Sequence, residues 1–181
     1  DKIRYPIPAR AAWDRELGIT ISDDQWERVC KVTKNVSGNA RFKLAHFNYL
    51  HRTYITPMSL HKIDDNKQKE CPLCHHDEAT FLHLAWECPA VGSFWYEVTQ
   101  RISTATGSSC PVEPLVCLLG DIPRKKDQKM LFKFIQLALV LAKRRVAITW
   151  LGTEGPSVSR WSADVLDWAV AEKVRLQNCR Q

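Results

Sequence analysis

The sequence predicts an all-α fold, a helical bundle with a Cys3His zinc-binding module embedded in it. Three observations predict it. Apolar residues recur at three- and four-residue spacing over long stretches, and no run alternates in the way a strand requires. Helix-start and helix-stop residues punctuate those stretches at sensible intervals. Cys71, Cys74, His83 and Cys88 form a compact C-x2-C-x8-H-x4-C array, a donor set and spacing that suit one tetrahedral ion.

Residues 1–12 carry two prolines and no periodicity, and read as an extended lead-in or linker. Trp13 to Thr20 is a short anchored segment. Ser22-Asp23-Asp24-Gln25 is a capping box, in which Gln25 reaches back to the N-cap amide. It opens a helix to about Val36, with Trp26, Val29, Cys30, Thr33 and Val36 on one face and Ser37-Gly38-Asn39 ending it. A second helix, Ala40 to His51, turns Phe42, Ala45, Tyr49 and Leu50 inward. Arg41, Lys43, His46, Asn48 and Arg52 fall largely on the other side. Thr56 as N-cap and Pro57 at N1 start a short third helix carrying Met58, Leu60 and Ile63. A charged loop, 64–70, leads into the cysteines.

Two cysteines separated by two residues reach one ion from a single turn, and Pro72 presets that turn. Residues 80–87 read as about two turns of α-helix with Thr80 as N-cap, placing His83 on the helix and Cys88 just past its end. His75 and His76 are rival ligands, ranked lower because they directly follow Cys74. Three thiolates and a neutral imidazole leave a zinc site one unit negative, which Lys67 and Lys69 would offset. With four protein ligands no position stays open for water, so a structural ion is expected.

Pro89 then opens a helix with Val91, Phe94, Trp95, Val98 and Ile102 as its apolar stripe, ending near Thr106-Gly107. Residues 108–123 are proline-rich, with room for a helical turn around Leu115–Leu119. The longest helix is expected from about Lys125 to Leu151, apolar on most sides and therefore central, with Lys129, Lys133, Gln136, Lys143 and Arg144 as a polar stripe. A last helix runs from Ser157 or Ser159 to about Asn178 and buries Trp161, Val165, Trp168 and Ala169. The divisions are a lead-in (1–12), an N-terminal helical region (13–70), the zinc module with its following helix (71–106) and a C-terminal helical region (107–181), one compact domain overall.

The chain has 181 residues and a net charge of +6. Its pI near 9.0 favours an anionic partner, nucleic acid before membrane surface. Cys30, Cys110, Cys117 and Cys179 are scattered in apolar or helical surroundings. That pattern suits a reducing compartment, the nucleus and cytoplasm, better than a disulfide framework. No signal-peptide pattern is read at the start. The most apolar run, 134–142, is too short to span a bilayer and is followed by Lys143-Arg144-Arg145, so no membrane partner is expected.

The order of these features resembles the C-terminal region of the polyprotein of non-LTR retrotransposons of the long interspersed element type, where a cysteine-rich zinc segment follows the reverse transcriptase. The matching residues are 13-WDRELG-18, Asp24 and Trp26, 49-YLHRTYITPMSL-60, 71-CPLC-74, 80-TFLHLAWECP-89 and Phe94-Trp95. Leu118-Leu119-Gly120, Ile148-Thr149-Trp150 and Trp161 follow. The match covers residues 13–175, and its most specific part is Thr-x-x-His-x-x-x-x-Cys-Pro followed by Phe-Trp. Nothing resembles the polymerase palm or the endonuclease, so the resemblance implies a fragment or stand-alone relative with no chemistry of its own. Cysteine spacing varies in the family, so the ligands carry over and their geometry does not. The implied role is to hold element RNA, or target DNA with RNA, beside the reverse transcriptase core during target-primed reverse transcription.

Phosphate contacts need clustered Lys and Arg. Three clusters are candidates: Arg41, Lys43, His51 and Arg52; Lys143, Arg144 and Arg145; and Lys62, Lys67 and Lys69. Tyr54, Trp86 and Tyr96 are candidates for base stacking, whereas Trp95, Trp161 and Trp168 are assigned to packing. Two other functions compete. One is a zinc-stabilised protein-interaction module, which salt would affect less than phosphate binding. The other is a zinc deaminase, but that chemistry uses His-x-Glu together with Pro-Cys-x-x-Cys, and here the proline follows Cys71 instead of preceding it.

Overall fold

The computed structural model describes residues 8–122 and 128–178, apart from the side chains of Asn35, Leu176 and Asn178. Every regular element among the described residues is helical. The order is α1 (Pro8–Leu17), α2 (Asp23–Asn35), α3 (Ala40–Leu50), α4 (Pro57–His61), a first π-turn (His83–Glu87), α5 (Pro89–Thr106), a second π-turn (Leu115–Leu119), α6 (Lys129–Thr149) and α7 (Val158–Asn178).

Local signals set most of the boundaries. Ser22 caps α2 through the Gln25 amide while the Gln25 side chain accepts from Ser22 N–H at 2.9 Å. Thr56 makes the same exchange with Ser59 at the start of α4, behind Pro57. Gly107 stops α5 with φ +63°, a left-handed conformation that costs glycine nothing sterically. The segment 8–12, expected to be extended, is instead the first part of α1. Pro8 is tolerated there because the first turn of a helix has no use for its N–H, and Ala9 and Trp13 are buried one turn apart.

The centre of the molecule is α6. It packs against α3, α5, α7 and both π-turns, and residues 137–142 are all buried. Helix α2 packs on the far side of α3. Three indoles pin the bundle by donating Nε1–H to backbone carbonyls: Trp13 to Leu50, Trp95 to Ala85 and Trp161 to Ala138, each at 2.9 Å. A cluster of rings, Trp13, Tyr49, Phe81 and Trp150, meets edge-on or tilted between α1, α3 and the end of α6. Phe81 belongs to the turn just before His83, so this cluster is what docks the cysteine segment onto the bundle. The expected start of the long helix at Lys125, and Cys179, lie outside the described residues. No helix among the described residues is long and apolar enough to cross a membrane.

Candidate metal centre

The knuckle 71–76 is held by its own backbone. Cys71 N–H donates to the His76 carbonyl at 2.9 Å, and His75 N–H donates to the Cys71 carbonyl at 2.8 Å. His75 takes φ +60° to close the turn, which points both cysteines the same way and spends His75 on the backbone. Ala79 N–H donates to the Lys69 carbonyl at 2.7 Å and closes the neck of the loop.

The other two donors come from the first π-turn. Thr80 Oγ1 accepts from His83 N–H at 3.1 Å, the expected N-cap contact. The turn that follows is not α-helical: Cys88 N–H donates to the His83 carbonyl, five residues back, at 2.8 Å. In an α-helix, residues five apart face roughly 140° away from each other at 100° per residue. The wider turn brings the fifth residue back above the first, so His83 and Cys88 share a face. Trp95 supports this geometry from α5 through its bond to the Ala85 carbonyl within the turn.

The four side chains converge. Their donor atoms all lie within 4.8 Å of one another. Cys71 Sγ and Cys88 Sγ are 3.9 Å apart, and Cys74 Sγ and His83 Nε2 are 3.2 Å apart. The described cysteines are free thiols. Cys71, His83 and Cys88 are buried and Cys74 is half-buried. This cluster could hold a metal ion, as the spacing predicts.

Burial dominates the electrostatics. It pushes the Cys88 thiol up to about 12, even though the Ala90 and Val91 amides at the start of α5 pull the other way. Burial, then the neighbouring His76 ring, holds His83 below its ordinary value. A neutral imidazole is the form that ligates, and a bound cation is what would reverse the thiol's preference for its proton. His76 stacks on His83 with ring centroids 4.6 Å apart and stands outside the four-donor cluster. One His-x-Glu occurs, His76-Asp77-Glu78, but Glu78 reaches Lys69 at 3.9 Å and neither residue belongs to the cluster.

The three basic clusters fare differently. Lys143 is fully buried, which corrects its assignment to a phosphate-binding face. Its Nζ donates to His46 Nδ1 at 2.7 Å and to the Leu118 carbonyl at 3.1 Å. His46, expected on the polar side of α3, is buried with it. The two polar groups pair inside an apolar interface, and the second π-turn supplies Lys143 with its other acceptor, while His46 Nε2 has no hydrogen-bond partner among the described residues. Arg145 forms a two-pronged pair with Asp164 of α7, both bonds 2.5 Å, with its side chain only 18% exposed. Arg144 lies 3.9 Å from the same carboxylate. Arg52 pairs with Glu16 and lies over the rings of Trp13 and Phe81, at 5.3 and 5.1 Å. Arg41, His51, Lys62 and Lys67 are exposed, Lys43 and Lys69 half-buried. Arg41, Lys43, Lys62 and Lys67 make no ion pair among the described residues.

Among the candidate stacking rings, Tyr96 is exposed, while Tyr54 is half-buried edge-on to Trp150 and Trp86 is half-buried near Trp95. Trp95 and Trp161 are buried, and Trp168 packs half-buried near Phe134. Sequence reasoning passed over Phe47, which is 44% exposed beside exposed Leu44. The signal was present: with Phe42, Ala45 and Tyr49 facing inward, helical periodicity turns positions 44 and 47 outward. No protein-family model matches the chain.

Proposed function

We propose that Cys71, Cys74, His83 and Cys88 hold a structural Zn2+, and that the chain is an RNA/DNA-binding accessory domain of a non-LTR retrotransposon reverse transcriptase. In this reading it positions element RNA or target nucleic acid for target-primed reverse transcription and has no catalytic residues of its own. The convergence of the four donors is the observation that carries the metal site, and the resemblance over residues 13–175 is what supports the retrotransposon reading. Zinc bond lengths near 2.3 Å to sulfur and 2.0–2.1 Å to nitrogen give tetrahedral edges of about 3.8 Å between sulfurs and about 3.6 Å between sulfur and nitrogen. The separations of 3.9 and 3.2 Å lie to either side of those edges, within small side-chain adjustments. Soft thiolates with one imidazole favour zinc over the hard cations. The net charge of +6 supports an anionic partner, as do Arg41, Lys43, Lys62 and Lys67, which make no ion pair among the described residues.

Elemental analysis of purified protein should find one zinc per chain, and Cys88→Ser should lower it. Unchanged stoichiometry in that variant removes Cys88 from the ligand set. Binding to structured RNA, single strands and duplex DNA should weaken steeply with salt. Absence of binding to any of them at low salt defeats the nucleic-acid reading. The second reading, a zinc-stabilised protein-interaction module, is favoured by the exposed stripe Leu166, Val170 and Val174 on α7, and predicts association that salt does not weaken.

A further inference from the structure

The outer face of α3 combines exposed apolar side chains with cations. Over Ala40–Leu50 it carries no carboxylate at all. Its exposed side chains run Arg41, Leu44 (57% exposed), Phe47 (44%) and then His51. These positions are three or four residues apart, so they form one stripe about 15 Å long. Arg41, Lys43, Leu44 and Phe47 line one open groove with Thr33 of α2, about 500 Å³ in volume. The Phe47 ring lies against the His51 ring, centroids 4.2 Å apart. His51 in turn borders a second cleft, of about 380 Å³, whose other walls include Tyr54 and Phe81, the residue that leads into the metal ligands.

Cations without an ion pair among the described residues occur elsewhere on the surface, at Lys62 and Lys67 among others, but in this stripe they lie in one groove with the exposed Phe47 ring. Arg10, Arg28, Lys31, Arg52, Lys69, Lys133, Arg144, Arg145 and Arg175 each have a carboxylate within 4.0 Å. Arg41 and Lys43 have none among the described residues. An exposed phenyl ring flanked by unneutralised cations offers two things at once: a face for a planar π-system and a counter-charge for a backbone. A docked amphipathic helix would need anchor pockets at i, i+3, i+4 and i+7. This groove has only two large apolar side chains.

We infer that the α3 stripe is a binding site for single-stranded nucleic acid, with a base stacked on Phe47 and phosphates on Arg41 and Lys43. This deepens the proposed function and rests on it. An unpaired base can reach Phe47 because its face is free, whereas a duplex buries its faces in its own stack. Duplex can therefore use the cations but not the ring.

Fluorescence anisotropy of the full chain with a labelled oligoadenylate strand, and with a DNA duplex of equal length, tests this. Phe47→Ala should weaken the single strand by about tenfold or more and leave the duplex within about twofold. Phe47→Tyr should keep single-strand affinity. Phe47→Leu, which keeps apolar bulk without a flat ring, should lose it. Arg41→Ala and Lys43→Ala should each lower the slope of log affinity against log salt by about 0.7 on single strands. The melting temperature of each variant checks the fold. If Phe47→Ala does not fold, the comparison of Tyr with Leu decides. Wild-type binding that survives both Ala and Leu overturns the inference but leaves the proposed function standing. Equal losses of single-strand and duplex affinity in Phe47→Ala, or capture of an acidic peptide by this groove in place of the strand, overturn it as well. No binding of wild type to either nucleic acid overturns both.

Discussion

Lys143 lies at the middle of α6 with no access to water. Burial brings it down to about 7, where the neutral amine has two hydrogens for its two acceptors, His46 Nδ1 and the Leu118 carbonyl. With Nδ1 accepting, the His46 hydrogen sits on Nε2, which has no hydrogen-bond partner among the described residues, and burial first and Lys143 second keep the ring well below its ordinary value. The unfolded chain holds the lysine proton to about pH 10.4. Between pH 7 and that value the unfolded state therefore binds more protons, and stability rises with pH, approaching about 1.4 kcal/mol per unit. Above pH 9 the gain from Lys143 is outweighed, because burial holds two thiols protonated, Cys117 up to about 12 and Cys110 up to about 11, while unfolded cysteines ionise at about 8.5. Denaturant unfolding between pH 7 and 9 should show the rise in wild type and a flatter profile in Lys143→Met. Identical slopes would remove Lys143 as the titrating group. The sequence concealed this pair. A lysine after an apolar run and a histidine among polar neighbours both look solvent-facing, and the bond joining them spans 97 positions.

At the level of elements, short-range chemistry was legible and helical pitch was not. The Ser22 and Thr56 caps and the α5 stripe depend on residues within a turn or two, and they stand where spacing put them. The first π-turn was read as ordinary α-helix because apolar periodicity assumes one pitch. The five-residue step from His83 to Cys88 was the clue that a wider turn was needed to align two ligands. Helix α1 was missed because proline was read as a breaker and not as a first-turn residue. The π-turn also predicts a dependence on Trp95. Trp95→Phe leaves the Ala85 carbonyl buried without its donor, which should cost about 1–3 kcal/mol. A lowered denaturation midpoint, with weaker metal retention during chelator challenge, is expected. An unchanged midpoint would mean that another donor reaches that carbonyl.

Across the whole molecule, cations divide into those that join elements and those that face outward. Arg145 ties α6 to α7 through Asp164, and Arg52 ties the end of α3 to α1 through Glu16. Reversing either to Glu should lower the melting temperature, with roughly 1–3 kcal/mol lost for a hydrogen-bonded charge pair. Reversing Arg41 and Lys43 together should leave the melting temperature within a degree or two, on the order expected for exposed sites, and reduce binding to nucleic acid. Equal thermal effects of the two kinds of reversal would remove the division. Local sequence shows where charge is dense and says nothing of which charges are already answered by a distant carboxylate. That is why the cluster at 143–145 looked like a surface and is mostly an interior joint.

Helix α7 is attached unevenly. Near its start Trp161 is buried and bonded to Ala138, and Asp164 receives both arginines of α6. Further along, Trp168 packs near Phe134 and Glu172 reaches Lys133, while Leu166, Val170 and Val174 stay in solvent. Such a helix unzips from its far end, so its backbone amides should exchange with deuterium in a gradient, slowest beside Trp161 and fastest past Val174.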